Sequence, residues 1–218
     1  NAMAIEARNY LCQLIERLEK NPTDGLISRL IRVCNQGQQL SQDEILGFCI
    51  MLFIVGQETT KSLIGNGLLA LLQHPETIEF VKNNPHKIKA VVEELLRYDS
   101  PVQVLARLAK EDINMGEKTI RAGDKVIVCL GAANRDPAQF SHPDRLDWSR
   151  NHTNLPFGGG IHYCLGAALA RVQAQIAIQT VIDRLNNIKL NTQQLNWRDS
   201  ITLRGLTSLP VLFEGNLY

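Results

Sequence analysis

Phe157-Gly158-Gly159-Gly160-Ile161-His162-Tyr163-Cys164-Leu165-Gly166-Ala167 is the stretch on which the reading of this chain turns. Three consecutive glycines permit a loop path that other residues follow only with strain. Apolar residues then recur at Leu165, Leu169, Val172, Ile176 and Leu185, so a long helix is expected over Cys164 to Asn186. Cys164 would open that helix, where unpaired N–H groups and the positive end of the helix dipole favour thiolate over thiol. This makes Cys164 a candidate nucleophile or soft metal ligand. Other readings compete: a lone cysteine is commonly a buried, inert side chain. A zinc site needs several ligands; His162 is two residues away, but no second pair is evident. Phosphate loops follow G-x-x-x-x-G-K-[ST] or G-x-G-x-x-G, and Tyr163 stands where the second pattern needs glycine.

Upstream, an irregular stretch rich in Asp, Pro and Asn runs from Ala133 to Pro156. Before it, Val102 to Asp112, Met115 to Ile120 and Lys125 to Leu130 read as short strands punctuated by Gly116 and Ala122-Gly123-Asp124. Two helices are expected ahead of these, over Glu76 to Lys82 and His86 to Tyr98, the second closed by Asp99-Ser100-Pro101. Ser41-Gln42-Asp43-Glu44 reads as a capping box, and no strong breaker follows before His74-Pro75. A helix of about 30 residues would be some 45 Å long. Gly47, Gly56 and Gly65 lie inside it, where each costs up to about 1 kcal/mol and marks a close approach. Two amphipathic helices come first, Ala4 to Lys20 and Leu26 to Val33, separated by Asn21-Pro22-Thr23-Asp24-Gly25, with a break at Gln36-Gly37. Weak strand signals close the chain at Ser200 to Leu203 and Leu209 to Phe213. The expected fold is mainly α with a minor β part.

The 218 residues carry 23 Lys+Arg and 22 Asp+Glu, a formal charge of +1, so no global basic field points to nucleic acid. The hydrophobic share of 44% and charged share of 21% argue against disorder. The longest apolar run, Ile45 to Val55, falls short of the roughly 20 residues a bilayer-spanning helix needs, so no membrane span is expected. Five widely spaced cysteines without a C-x-x-C pair, and no secretion signal, point to a reduced, cytoplasmic setting. Asn1 and Ala2 ahead of Met3 read as a cloning remnant, leaving residues 3–218 as the domain.

The loop also reads F-G-x-G-x-H-x-C-x-G, and in that form it resembles the haem-thiolate loop of the bacterial cytochromes P450. Glu94-Leu95-Leu96-Arg97 is similar to the family's E-x-x-R, and Arg145 to the arginine that completes a structural Glu-Arg-Arg cluster. Gly56-Gln57-Glu58-Thr59-Thr60 resembles the oxygen-activating segment of the long central helix, and Leu130 to Pro137 also reads like bacterial members. The resemblance covers nearly the whole chain. It implies the C-terminal portion of that fold: long central helix, E-x-x-R helix, cysteine-ligand loop and the helix after it.

By that resemblance Cys164 is the axial ligand of haem iron, a thiolate that pushes electron density onto the metal. Gly158 and Gly160 let the backbone come close, Gly166 is a further cofactor-binding position of the motif, Phe157 shields the sulfur, and His162 and Arg107 reach haem propionates. On the distal side Thr59 resembles the threonine that hydrogen-bonds dioxygen, Glu58 the acid that relays protons, and Gly56 the residue that thins the helix there. Val55 departs from the Ala or Gly usual at its place, and its branched side chain would either crowd the distal pocket or shape substrate access. Arg171 resembles a basic residue that docks the electron donor; a solvated helix charge is the plainer reading. The implied activity is a monooxygenase acting on a small organic substrate with electrons from a ferredoxin or reductase. Complete members are roughly twice this length in one large domain, so a truncated domain lacking the N-terminal half is expected. Apolar surface left exposed would favour a homo-oligomer, and the alternative is a non-catalytic remnant with weak or no haem binding.

Overall fold

The computed structural model describes residues 2–35, 40–150 and 154–215. The break expected at Gln36-Gly37 lies outside the described residues, as does Asn1. The elements in chain order are helices α1 (Ala2–Lys20), α2 (Leu26–Asn35), α3 (Gln42–Gln73), α4 (Pro75–Asn83) and α5 (Ile88–Tyr98), then strands β1 (Val104–Leu108), β2 (Ile113–Met115), β3 (Lys118–Ile120) and β4 (Lys125–Cys129). A single-turn helix α6 (Leu130–Ala133), helix α7 (Ala167–Arg184) and strands β5 (Asn186–Leu190) and β6 (Val211–Glu214) complete it. The expected mainly helical fold is found.

The chain forms two compact units, residues 1–58 and 59–218, with α3 running through the junction. In the first, Ile15 of α1, Ile31 of α2 and Ile45, Leu46 and Cys49 of α3 pack together, with Leu11, Ile27 and Leu30 around them. These positions recur every three to four residues, which gives each helix one apolar face. The start of α3 is the expected capping box. Glu44 N–H donates to Ser41 Oγ (3.3 Å), and the Glu44 carboxylate accepts from Ser41 N–H (2.8 Å).

In the second unit the core is helical. Leu63, Ala70 and Leu71 of α3 meet Val81 of α4, Val91, Val92, Leu95 and Leu96 of α5, and Ala174, Ile178 and Ile182 of α7. Of the glycines in α3, a side-chain carbon at Gly47, Gly56 or Gly65 would meet nothing within 4 Å among the described residues. The close approach is at Gly67 instead, where such a carbon would sit 3.1 Å from Leu95 Cδ1 and 3.3 Å from Ile178 Cδ1. Gly67 therefore sets the distance of α3 from α5 and α7.

The β part is three separate antiparallel pairs, β1 with β4, β2 with β3, and β5 with β6. The single strand expected over Met115 to Ile120 is instead the turn and second arm of a hairpin, because Gly116 adopts φ +61°. Ser200 to Leu203 is not a strand; only an isolated bridge joins Leu203 to Val102. The last helix differs from expectation at both ends. It begins at Ala167 rather than Cys164, and Asn186, expected at its close, opens β5. Leu165, Leu169, Val172 and Ile176 are exposed, while Ala167, Ala174, Ile178 and Ile182 are buried. The sequence around α7 is apolar on two faces, so spacing alone could not choose between them.

Candidate functional site

The cysteine loop is anchored from α5. Arg97 is 2% exposed and uses all five of its guanidinium hydrogens. Nε and Nη2 donate to the Glu94 carboxylate (2.8 and 2.7 Å), Nη1 to the carbonyls of Asn134 and Pro143, and Nη2 to that of Arg145. The Glu94 carboxylate also accepts from Asp147 N–H (2.8 Å) and Arg150 Nε (3.3 Å). The third member of the cluster is thus Arg150 and not Arg145, whose side chain belongs to an exposed residue and which contributes only its carbonyl. Arg150 also donates to the Ser141 and His142 carbonyls. Asn134 links the same stretch onward, donating to Ser100 Oγ (2.8 Å) and accepting from Leu155 N–H (2.7 Å). The irregular chain before the loop is therefore fastened to α5 through Glu94 and Arg97, two buried charged groups that are paired, as burial demands.

From Leu155 the backbone turns back. Gly158 N–H donates to the Leu155 carbonyl, and Gly158 and Gly160 take φ of +71° and +63°, a region costly for residues with a Cβ. Gly160 to His162 form one 3₁₀ turn. Cys164 N–H then donates to the Phe157 carbonyl at 3.0 Å, closing the loop on itself. Cys164 is exposed, which overturns the inert buried reading. It precedes α7 by three residues, and its carbonyl accepts from Ala167 N–H. It is therefore not the first residue of the helix, as its sequence position suggested. Phe157 is partly buried against the helical core, while His162 is exposed. Gly166 is the N-cap of α7.

The other expected residues lie elsewhere. Gly56, Glu58 and Thr59 follow one another on α3, with Gly56 exposed and Glu58 and Thr59 half-buried. Arg107 is on β1, exposed, donating from Nη1 to the Ala106 carbonyl. It shares a strand face with Leu105, and Leu105 Cδ1 is the side-chain atom nearest the position a Gly158 Cβ would take. The loop thus unites Phe157, Gly158, Gly160, His162, Cys164 and Gly166, with β1 alongside.

Arg171, on the buried face of α7, is tied to Glu93 of α5 by Nε (2.5 Å) and Nη2 (3.2 Å), and Nη1 donates to Tyr163 Oη (3.1 Å). Its guanidinium carbon lies 4.4 Å from the centre of the Phe157 ring. Bonding to Glu93, with a smaller part from Tyr163, pushes its pKa above the usual arginine value. It is not a solvated helix charge. Glu93 and Tyr163 were missed by sequence reasoning, because an acid in a helix and an aromatic in a loop carry no signal without the fold. Among the described residues no cluster of three or more His, Cys, Asp and Glu could hold a metal ion. None of the described helices is long and apolar enough to cross a membrane.

The sequence model of the family "Cytochrome P450" matches residues 3–207. The chain is 44% identical to the biotin biosynthesis cytochrome P450 of Bacillus subtilis over 98% of its own length and 54% of that protein. It is 42% identical to a vitamin D(3) 25-hydroxylase of Pseudonocardia autotrophica, over 97% of its length and 54% of that protein. Among solved structures it is similar to P450BioI in complex with hexadec-9Z-enoic acid ligated acyl carrier protein, with a TM-score of 0.93 and 44% identity over 98% of this chain and 55% of that one. The chain spans about half the length of the relatives it matches, and over that span it belongs to the cytochrome P450 family.

Proposed function

We propose that this chain carries the haem-binding part of a haem-thiolate monooxygenase, in which the Cys164 thiolate would hold the haem iron. The observation that carries the reading is the setting of Cys164: an accessible thiol closing a glycine loop through its amide. A single soft donor does not make a zinc site, which needs three or four protein ligands. It suits a metal whose remaining ligands come in a macrocycle. The surroundings fit such a ring. Ile161, 98% exposed, with Tyr163, Leu165 and Leu169, offers apolar surface on and beside the loop. A side-chain carbon at Gly159, Gly160 or Gly166 would meet nothing within 4 Å among the described residues. When bound, the haem supplies dioxygen activation, from which one oxygen atom enters a small organic substrate.

The remaining work falls to the chain's own residues. Phe157 keeps water from the sulfur, and the loop's backbone N–H groups moderate its basicity. Gly158 and Gly160 let that backbone fold over the sulfur. His162 and Arg107 supply positive and hydrogen-bonding groups for carboxylate arms, Arg107 from the β1 face beside the loop. On α3, Thr59 holds a proton at its hydroxyl and Glu58 passes one through its carboxyl, while Gly56 keeps that helix narrow. Electrons come from a ferredoxin or other reductase. The hydroxylase and biosynthetic relatives support oxygen insertion into organic substrates.

The test is the absorption spectrum of purified protein supplied with haemin, reduced and exposed to CO. A red-shifted Soret band that Cys164→Ser abolishes is expected. No haem uptake would favour the non-catalytic reading, and a band that survives Cys164→Ser would remove Cys164 as ligand.

A further inference from the structure

We propose that Arg171 is the positioning residue of the cysteine loop, gripping both its ends and fixing them to α5; the proposal rests on the reading of Cys164 as ligand. The loop's own bonds are few: Gly158 N–H to Leu155, Tyr163 N–H to Gly160, and Cys164 N–H to Phe157. Between them stand two glycines at positive φ, which have other conformations open to them. Something outside the loop must hold it. Arg171 touches Phe157, where the loop leaves the core, and Tyr163, the neighbour of Cys164. Its other nitrogens are bound to Glu93, one residue before the Glu94 that holds the chain upstream. Adjacent carboxylates of one helix thereby fasten the segment before the loop and the loop itself. A guanidinium is suited to this task. Its planar fork binds a carboxylate at two points while its face rests on an aromatic ring, which an ammonium cannot do. Because Nε and both terminal nitrogens donate within the chain, Arg171 acts here as a clamp and not as a charge held out for an electron donor.

The test compares wild type with Arg171→Lys, which keeps the charge and loses the fork. The first readout is amide exchange in haem-free protein. Exchange over residues 157–164 is expected to rise about tenfold or more, the scale of losing one charge-assisted hydrogen bond, with α5 and α7 still protected. The second, in haemin-loaded protein, is the share of the reduced CO complex with a thiolate-type Soret band, together with the reduction potential. The share falls and the potential shifts. Tyr163→Phe, which removes a single acceptor, moves the same readouts less and serves if the lysine variant fails to fold. Wild-type exchange and potential in these variants overturn the proposal. If wild type takes up no haem, the Cys164 reading fails, while the exchange measurement still decides the role of Arg171.

Discussion

Arg150 Nε lies 3.3 Å from Glu94 Oε1 with both side chains more than nine-tenths buried, whereas Arg145 reaches the same cluster only through its carbonyl. Removing one partner of a buried ion pair strands the other's charge, so Arg97→Ala should cost about 3–5 kcal/mol. Arg150→Ala also loses two bonds to carbonyls and should cost about 1–3 kcal/mol. Arg145→Ala should stay within about 0.5 kcal/mol of wild type, as surface changes do. Urea unfolding midpoints check the order; equal losses for Arg145 and Arg150 would reject the assignment of Arg150.

The glycines of α3 make a second contrast. Gly65→Ala enters open space in a helix interior and should stabilise by up to about 1 kcal/mol. Gly67→Val would push into Leu95 and Ile178 and should destabilise by about 1–3 kcal/mol. Thermal melts of the two variants decide it; a tolerated Gly67→Val would mean that α3 can move away from α5 at little cost.

At the start of α3, bonding from the Ser41 backbone and then its side chain holds the Glu44 carboxyl below its ordinary value of 4.5. A depressed pKa in the fold contributes stability that is present above the unfolded value and lost as pH falls through the folded one. The first turn of α3 should therefore fray as pH drops below about 4.5, read as amide exchange over residues 43–46 corrected for intrinsic rates. Glu44→Gln, which caps without titrating, should lose that pH dependence. Ser41→Ala should cost about 1 kcal/mol at neutral pH.

What the sequence made legible was whatever it encodes locally. The capping box at Ser41, the length of α3 and the glycine loop before Cys164 each rest on residues a few positions apart, and each is found. What failed depends on packing from a distance. Arg145 and Arg150 are both arginines in the same irregular stretch, and only the fold says which one turns toward Glu94. The exposed stripe from Leu165 to Ile176 and the buried one from Ala167 to Ile182 are both helical in period, and the choice between them lies with α5. Arg171 has the same character: a lone basic residue until Glu93, Tyr163 and Phe157 come together around it.

Thiol chemistry separates the cysteines without any assay of turnover. Cys129 and Cys164 are exposed, while Cys49 is buried in the first unit and burial pushes its thiol pKa up from 9.0. The thiolate is the reactive form, so access and ionisation act in the same direction. Iodoacetamide at mildly alkaline pH should label Cys129 and Cys164 first and Cys49 last, as followed by peptide mass spectrometry. Haemin added beforehand should slow labelling at Cys164 by tenfold or more, about 1.4 kcal/mol of protection, and leave Cys129 unchanged. Cys129 closes β4, away from the glycine loop in sequence, so it reports any general shielding by bound or aggregated haemin. Equal slowing at both cysteines would mean non-specific coating, and no slowing at Cys164 would remove its sulfur from the iron.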